Sequence, residues 1–522
     1  MITTIHAAGA AAVDAEAQQI TLSLATEPPT LNSLRSTDQI SSFVLSHVME
    51  GLMRYDARGD LVGGVAERWE LREDGATFWL RDDARWSDGR PVTAADFVFA
   101  WRRALEPTTA SQYAFILYPI ANAEAVNRGE KPLDALGVQA LGAHRLEVQF
   151  ARPTTYFLSL TAFMTYYPIR EDFFRAQGER YAADAHNLLF NGPFTLSRWV
   201  HSAHLTLSKN PEYWGRGEIA LQTIDLPYIT SDPSATFNLF KNGDIAMAAL
   251  DVETLDDALE RGYPIHQFQS GSLFFLSFNF REGRLTGNYH LRKAIQYALD
   301  PDVLVNQVIG LPGVQPGRSL FPRTVRALDG RFRDHFPAPL LRPDLDKAQW
   351  HLQQALDELG LKQVPLLVFL TGEHPRAGRE AEYVQYVLRQ ALGIDLKIDR
   401  QTFKQRIERM SRGDFDIVSA AWGPDFDDAI TFGDLFSSWN ENNRGLYRNP
   451  EYDRWVRVAM ESGDDAVRMN AMAELQRIVV EDVPILPLYE SAMLYVTHPR
   501  LLGLERSIFG GDPVLRYVRI RD

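Results

Sequence analysis

Apolar positions recur along this chain in two rhythms. Up to about residue 270, short alternating runs dominate. Ile20-Thr-Leu-Ser-Leu24 alternates as a strand, and Pro28-Pro29 marks a loop. A helix is predicted over Gln39–Met53, with Ile40, Val44, Val48 and Met49 on one side. Glu67–Arg72 and Ala76–Arg81 flank Asp74-Gly75, a hairpin signal, and Ala84–Pro91 reads as a turn. Thr93-Ala-Ala-Asp96 is a capping box opening a helix through Leu105. Leu136–Phe150 is a second hairpin-like region. A third runs from Phe194–Trp199 through a turn at His201 to His204–Ser208, closed by Lys209–Trp214.

Past about Ser270 helices and strands alternate. Helices are predicted at Tyr289–Ile309, Asp346–Leu359, Arg379–Leu392, Phe403–Met410, Tyr452–Glu461 and Asp465–Val480. Strands are predicted at Leu273–Phe280, Pro365–Leu370, Asp395–Arg400 and Phe415–Ala421, with Leu486–Val496 returning as a strand. This is the pattern of a helix-covered sheet of βαβ type, so the fold class is α/β. The Phe415–Ala421 strand ends in Trp422-Gly-Pro-Asp425, where Gly423-Pro424 forces the chain out of the sheet. That loop presents an aromatic plate and a carboxylate at a strand end, where α/β domains bind ligands. Alone, the stretch reads more readily as a surface turn with a solvated carboxylate.

With 522 residues, the chain is too long for one core and should hold two to four lobes. Its 45% hydrophobic and 23% charged residues indicate a globular protein. A net charge of −14, with no basic run, argues against nucleic acid or an anionic membrane as partner. The absence of cysteine excludes disulfides, thiolate nucleophiles, Cys-ligated metal and a lipid-modified cysteine. No window of 18 apolar residues exists to span a membrane. Residues 1–19 are Ala-rich without the basic start and apolar run of a signal peptide, and read as a flexible leader or a cloning remnant.

Catalytic and cofactor chemistry finds no footing. Gly310–Ser319 is Gly-rich but lacks Gly-Lys-Ser/Thr, so it is no nucleotide cradle. His201 and His204 lie in a hairpin, where their side chains diverge, and form no metal site. Asp425, Asp427, Asp428 and Asp434 resemble a calcium loop, but Ile430 stands where the loop needs Gly and no Glu follows. No nucleophile elbow or His-Glu-x-x-His occurs. No cofactor, metal or catalytic residue is expected.

A series of short segments then points elsewhere: Val65-Ala-Glu-Arg-Trp69, Phe78-Trp-Leu-Arg81, Trp86-Ser-Asp-Gly-Arg-Pro-Val-Thr93, Asp96-Phe-Val98 and Thr109-Ala-Ser-Gln-Tyr-Ala114. Asn191-Gly-Pro-Phe194, Asn210-Pro-Glu-Tyr-Trp214, Leu291-Arg-Lys-Ala294, Phe415-Asp-Ile417 and Pro487-Leu-Tyr489 continue it. In this order the chain resembles the periplasmic oligopeptide-binding proteins, family 5 extracellular solute-binding components of bacterial ABC peptide importers. The resemblance implies a three-lobed, periplasmic-binding-protein-like fold of type II with the ligand cleft between lobes I and III. It implies lobe I at residues 20–48, 173–271 and 493–522, an inserted lobe II at 49–172 and lobe III at 272–492. It also implies a monomer in the periplasm that binds a short peptide and delivers it to an ABC membrane permease, without enzymatic activity. Peptide backbone would pair with protein strands while side chains fall into hydrated pockets, which explains broad sequence tolerance.

The resemblance also carries residue roles. Asp425 matches the carboxylate that pairs with the ligand's α-ammonium. Ala421 and Gly423, beside Trp422, match positions lending backbone groups, and Tyr113 matches an aromatic contact from lobe II. Phe403 stands where relatives often have Trp, and Thr37 and Gln39 where lobe I lends polar contacts. Ser419 replaces an Arg and Ile309 a Lys that hold the ligand's C-terminal carboxylate in some relatives, leaving His374, Arg376 and Arg379 to compete for that task. Sites that match an inter-lobe disulfide of certain relatives are Gly271 and Gly423. Cousin specificities for murein peptide, dipeptide, a glutathione-like tripeptide or another amino compound remain open, and a haem or nickel carrier lacks clustered His or Met. A peptide hydrolase is the rival from another class.

Overall fold

A computed structural model describes residues 11–327, 329–339 and 342–522. The described residues up to Phe268 and from Leu494 onward make one compact unit, and Gln269–Met493 make a second. The chain passes between them twice, within the long strands His266–Phe278 and Ile485–Thr497.

The first unit contains a five-stranded and a four-stranded sheet beside smaller two-stranded ones. Strands β1 (Val13–Asp14) and β2 (Gln19–Leu24) belong to a five-stranded sheet, and β3 (Ala66–Arg72), β4 (Gly75–Leu80), β5 (Val138–Ala140) and β6 (Arg145–Gln149) form a second, in the order β3-β4-β6-β5. The five-stranded sheet is completed by β7 (Phe194–Val200), β8 (His204–Lys209) and β9 (Thr223–Ile229), in the order β1-β2-β9-β8-β7. Alternation explains which face of β8 packs, Leu205 and Leu207 being buried, whereas in β2 Thr21 is buried together with Ile20, Leu22 and Leu24. Residues 1–10 of the expected leader lie outside the described residues. Residues 11–19 depart from that expectation: Ala12 is buried and Val13 pairs with Ile20.

Two helices of this unit show how local chemistry sets element ends. Helix α1 (Gln39–Val48) is capped by Asp38, whose carboxylate accepts from the Ser41 amide and hydroxyl. It stops five residues short of the expected Met53, because Met49 is already extended and Met53–Tyr55 is a strand. Helix α2 (Ala94–Leu105) opens on the capping box read from sequence: the Asp96 carboxylate accepts from the Thr93 amide at 2.8 Å and from the Trp86 indole at 3.2 Å. Other short segments singled out from the sequence are also structural. Asn191 and Glu50 exchange two hydrogen bonds of 3.0 and 2.9 Å, and buried Glu50 accepts from Tyr213 and Trp214 at 2.5 and 2.6 Å. His201 and His204 part as expected, His201 meeting Glu27 and His204 meeting Asp225. The pattern of residues 223–250 left no expectation, yet it forms β9, helix α3 (Pro233–Asn242) and strand β10 (Met247–Leu250), which pairs with Leu494–Thr497.

The second unit is wound. Strands β11 (His266–Phe278), β12 (Leu367–Gly372), β13 (Leu396–Gln401), β14 (Ile417–Trp422) and β15 (Ile485–Thr497) lie in the order β15-β11-β14-β12-β13. Helices α4 (Tyr289–Ala298) and α5 (Leu345–Leu359) precede β12 in the chain. Helix α6 (Pro375–Leu392) joins β12 to β13, and α7 (Phe403–Arg412) joins β13 to β14. Both β13 and β14 therefore run parallel to β12, as crossover connections require. Helices α8 (Pro450–Glu461) and α9 (Asp465–Asp482) lead into β15. The single helix expected over Tyr289–Ile309 is interrupted. Asp300 caps a new turn at Pro301–Val303, since Pro301 has no amide to donate and restricts the residue before it.

Candidate functional site

Strand β14 is the frame on which the second unit hangs its candidate residues. It pairs antiparallel with β11 from Ile417–Phe278 to Trp422–Leu273. With β12 it pairs, among the described residues, only at Ile417 and Val418. The far edge of the strand beyond Val418 is thus not taken up by a β12 ladder. Ser419 is buried, Ala421 is exposed, and Trp422, Gly423 and Asp425 are half-buried.

The Trp422–Asp425 loop is held from both ends by one residue. Trp422 Nε1 donates to the Thr431 carbonyl at 2.9 Å, and the Thr431 hydroxyl accepts from the Asp425 amide at 3.0 Å. Thr431 is itself buried, so the aromatic plate and the carboxylate are set at a defined place on the strand end. The neighbouring acids have separate tasks. Asp427 faces Arg326 at 3.0 Å, and Asp428 meets buried Arg468 at 2.7 Å. Among the described residues no group of three or more His, Cys, Asp or Glu side chains could hold a metal.

Deeper on the strand a polar cluster gathers residues from four elements. The Ser419 hydroxyl donates to Glu380 Oε1 at 2.5 Å, while Arg406 Nη1 donates to the Ser419 carbonyl at 2.8 Å. Burial pushes the Glu380 carboxyl above its ordinary range, opposed by hydrogen bonds from Ser419 and Tyr489 and by the charges of Arg406 and Arg376. Burial likewise lowers the proton affinity of Arg406, against the pull of Glu380 and Tyr489. Phe403 opens α7 behind Thr402, half-buried, with the Arg406 guanidinium 5.6 Å from its ring centre.

Helix α6 begins four residues earlier than expected, and this changes the role of His374. His374 is its N-cap, with Nδ1 accepting from the Arg376 amide at 3.1 Å and Pro375 in the first turn. Arg376 and Arg379 then sit one turn apart on the same helix, both half-buried. Thus Ser419, Arg376 and Phe403 are brought to one cluster with Glu380, Arg406 and Tyr489, none of which was a site candidate from the sequence. Glu380 is 39 positions from Ser419, so no spacing signal could have paired them.

The candidates in the first unit have their own settings. Thr37 and Gln39 flank the Asp38 cap of α1, Thr37 half-buried and Gln39 exposed. Burial raises the Asp38 carboxyl despite the bonds from Ser41. Tyr113 is buried, its ring 4.9 Å from Phe163 edge-on and 5.8 Å from Phe115.

Residues 60–444 match the model of the bacterial extracellular solute-binding proteins, family 5. The chain is 30% identical to the oligopeptide-binding protein OppA of Bacillus subtilis over 500 residues, covering 93% of this chain and 90% of that protein. The substrate-binding domain of an oligopeptide ABC transporter from Bacillus anthracis superposes with a TM-score of 0.91 at 33% identity, covering 97% of this chain and 99% of that one. Listeria monocytogenes OppA bound to peptide gives 0.90 at 29% identity, with the same coverage.

Proposed function

Because the chain belongs to the bacterial extracellular solute-binding proteins of family 5, we propose that it binds oligopeptides outside the cytoplasm and hands them to an ABC transporter for uptake. The observation that carries this reading is the edge of β14 beyond Val418, ending in the Thr431-pinned loop with Asp425. A peptide laid along such an edge exchanges backbone hydrogen bonds that every peptide can make, so affinity does not depend on its sequence. Its α-ammonium pairs with the Asp425 carboxylate, and Ala421 and Gly423 lend backbone groups beside the Trp422 plate. Arg376 or Arg379 meets the terminal carboxylate. His374 is the weaker candidate, because its Nδ1 serves the helix cap. Phe403 borders a side-chain pocket, and the reading extends to Thr37, Gln39 and Tyr113 in the first unit.

In this reading the protein acts as a periplasmic monomer and a carrier, not as a peptidase, and delivers its cargo to a membrane permease. Residues 49–172 form an inserted lobe with its own four-stranded sheet, and 272–492 form the wound lobe. The decisive experiment is mass spectrometry of ligand released on denaturing the purified protein, followed by calorimetry with the peptides found. Peptides of mixed sequence support the reading; a single non-peptide solute overturns it. Peptide cleavage in a colorimetric assay, with or without chelator, would point to the hydrolase instead.

A further inference from the structure

Outside the β14 site, the second unit carries a pair of histidines on facing helices. His290 lies in the first turn of α4 and His351 in the middle of α5, and their Nδ1 atoms are 2.8 Å apart. Only one proton fits between two imidazole nitrogens at that distance, so one ring offers a lone pair to the other. Imidazole ligates metal through such a ring-nitrogen lone pair.

The surroundings orient both rings. Glu358 Oε1 lies 3.7 Å from His290 Nε2, on the far side of the ring from His351, and Glu358 Oε2 accepts from Asn288 Nδ2 at 2.8 Å. A carboxylate on the far nitrogen is how metal-bound imidazoles are commonly held. The His351 ring lies stacked 5.6 Å from Tyr297 and edge-on 4.8 Å from Trp350. Trp350 is 55% exposed and Tyr289 42%, so this face is open to solvent. The nearest cations are partly engaged: Lys347 pairs with Asp344 at 3.1 Å, and Lys293 donates to Gln296.

We infer that His290 and His351 chelate a divalent late transition metal ion through their Nδ1 atoms, linking α4 to α5. Metal–nitrogen bonds of about 2.0 Å in a tetrahedral arrangement place two ligands about 3.3 Å apart, so the Nδ1 atoms part by about half an ångström and each ring turns until its lone pair points at the ion instead of the other ring. The proton between them moves to the far nitrogen of its own ring, and no net charge is released. An all-imidazole pair without thiolate suits Cu(II), Ni(II) or Zn(II), with Cu(II) bound most tightly. No third side chain of the described residues joins the pair, so water completes the coordination.

The test is Cu(II) titration of the full chain, read by quenching of Trp350 fluorescence against a Trp350→Phe control, and by electron paramagnetic resonance. One Cu(II) per chain should bind with hyperfine structure from two imidazole nitrogens. Affinity should fall more than about tenfold in His290→Gln and in His351→Gln, while far-ultraviolet dichroism stays unchanged. Binding that survives both substitutions, as for an ion at the amino terminus, overturns the inference. So does a wild-type signal with fewer than two imidazole nitrogens, a reading that needs no variant to fold.

Discussion

Ser419 donates its hydroxyl hydrogen, over 2.5 Å, to Glu380, a carboxyl that is only 1% exposed. The bond ties β14 to α6. It leaves a buried acid under the influence of the Arg406 and Arg376 charges.

The Glu380 carboxyl should leave a signature in the pH dependence of stability. The unfolded chain titrates it near 4.5, while burial raises its folded value above that. Its contribution is thus fully present below 4.5 and is lost as pH rises through the folded pKa. Urea unfolding from about pH 4 to pH 7 should show this loss in the wild type and a flatter profile in Glu380→Gln. Parallel profiles would mean that the group ionises in the fold as it does in water.

Ser419→Ala removes a donor to the same carboxylate. At neutral pH the variant should lose about 1–3 kcal/mol of unfolding free energy, the cost of an unmet buried acceptor. The deficit should shrink at acid pH, where the neutral carboxyl demands less. A loss that is equal at both pH values would indicate packing rather than the hydrogen bond.

Asp425→Asn keeps the loop and removes its charge. Peptide affinity should fall about a hundredfold, matching the roughly 3 kcal/mol lost when one partner of a buried pair is removed. N-acetylated peptide should bind the wild type equally poorly, and the two losses should not add, because both delete one pair. Calorimetry on the four combinations decides it, and tight binding of acetylated peptide to wild type would remove Asp425 from the site.

Peptide amides should bind more weakly than free acids by about 1–3 kcal/mol if Arg376 or Arg379 meets the terminal carboxylate. The discrimination should disappear in the responsible Arg→Gln variant and persist in His374→Ala. That second variant should instead lose about 1 kcal/mol of stability, as expected for a helix without its cap. Equal affinity for acids and amides would place the carboxylate in solvent.

Asp96→Ala tests the structural reading of the capping box. The change strands the buried Trp86 indole and uncaps α2, for a loss of about 2–4 kcal/mol. Denaturation midpoints check the loss, and a change below about 0.5 kcal/mol would show that water replaces the carboxylate.

What the chain determined by itself were features whose causes lie within a few residues. The capping box at Thr93–Asp96, the hairpin at Asp74-Gly75, the βαβ rhythm past residue 270 and the Trp422–Asp425 strand end depend on local dihedral preference and alternation. The series of short segments from Val65 to Tyr489 likewise pointed to the family. Tertiary structure alone decided the rest. It took up residues 11–19 by pairing Val13 with Ile20, restarted a helix at Pro301, and extended α6 back to His374. It also joined Ser419 to Glu380 and His290 to His351, contacts spanning 39 and 61 positions. A carboxylate or imidazole acquires its task from whatever the fold places within 3 Å of it, and that distance is fixed by the packing of whole elements, not by neighbours along the chain.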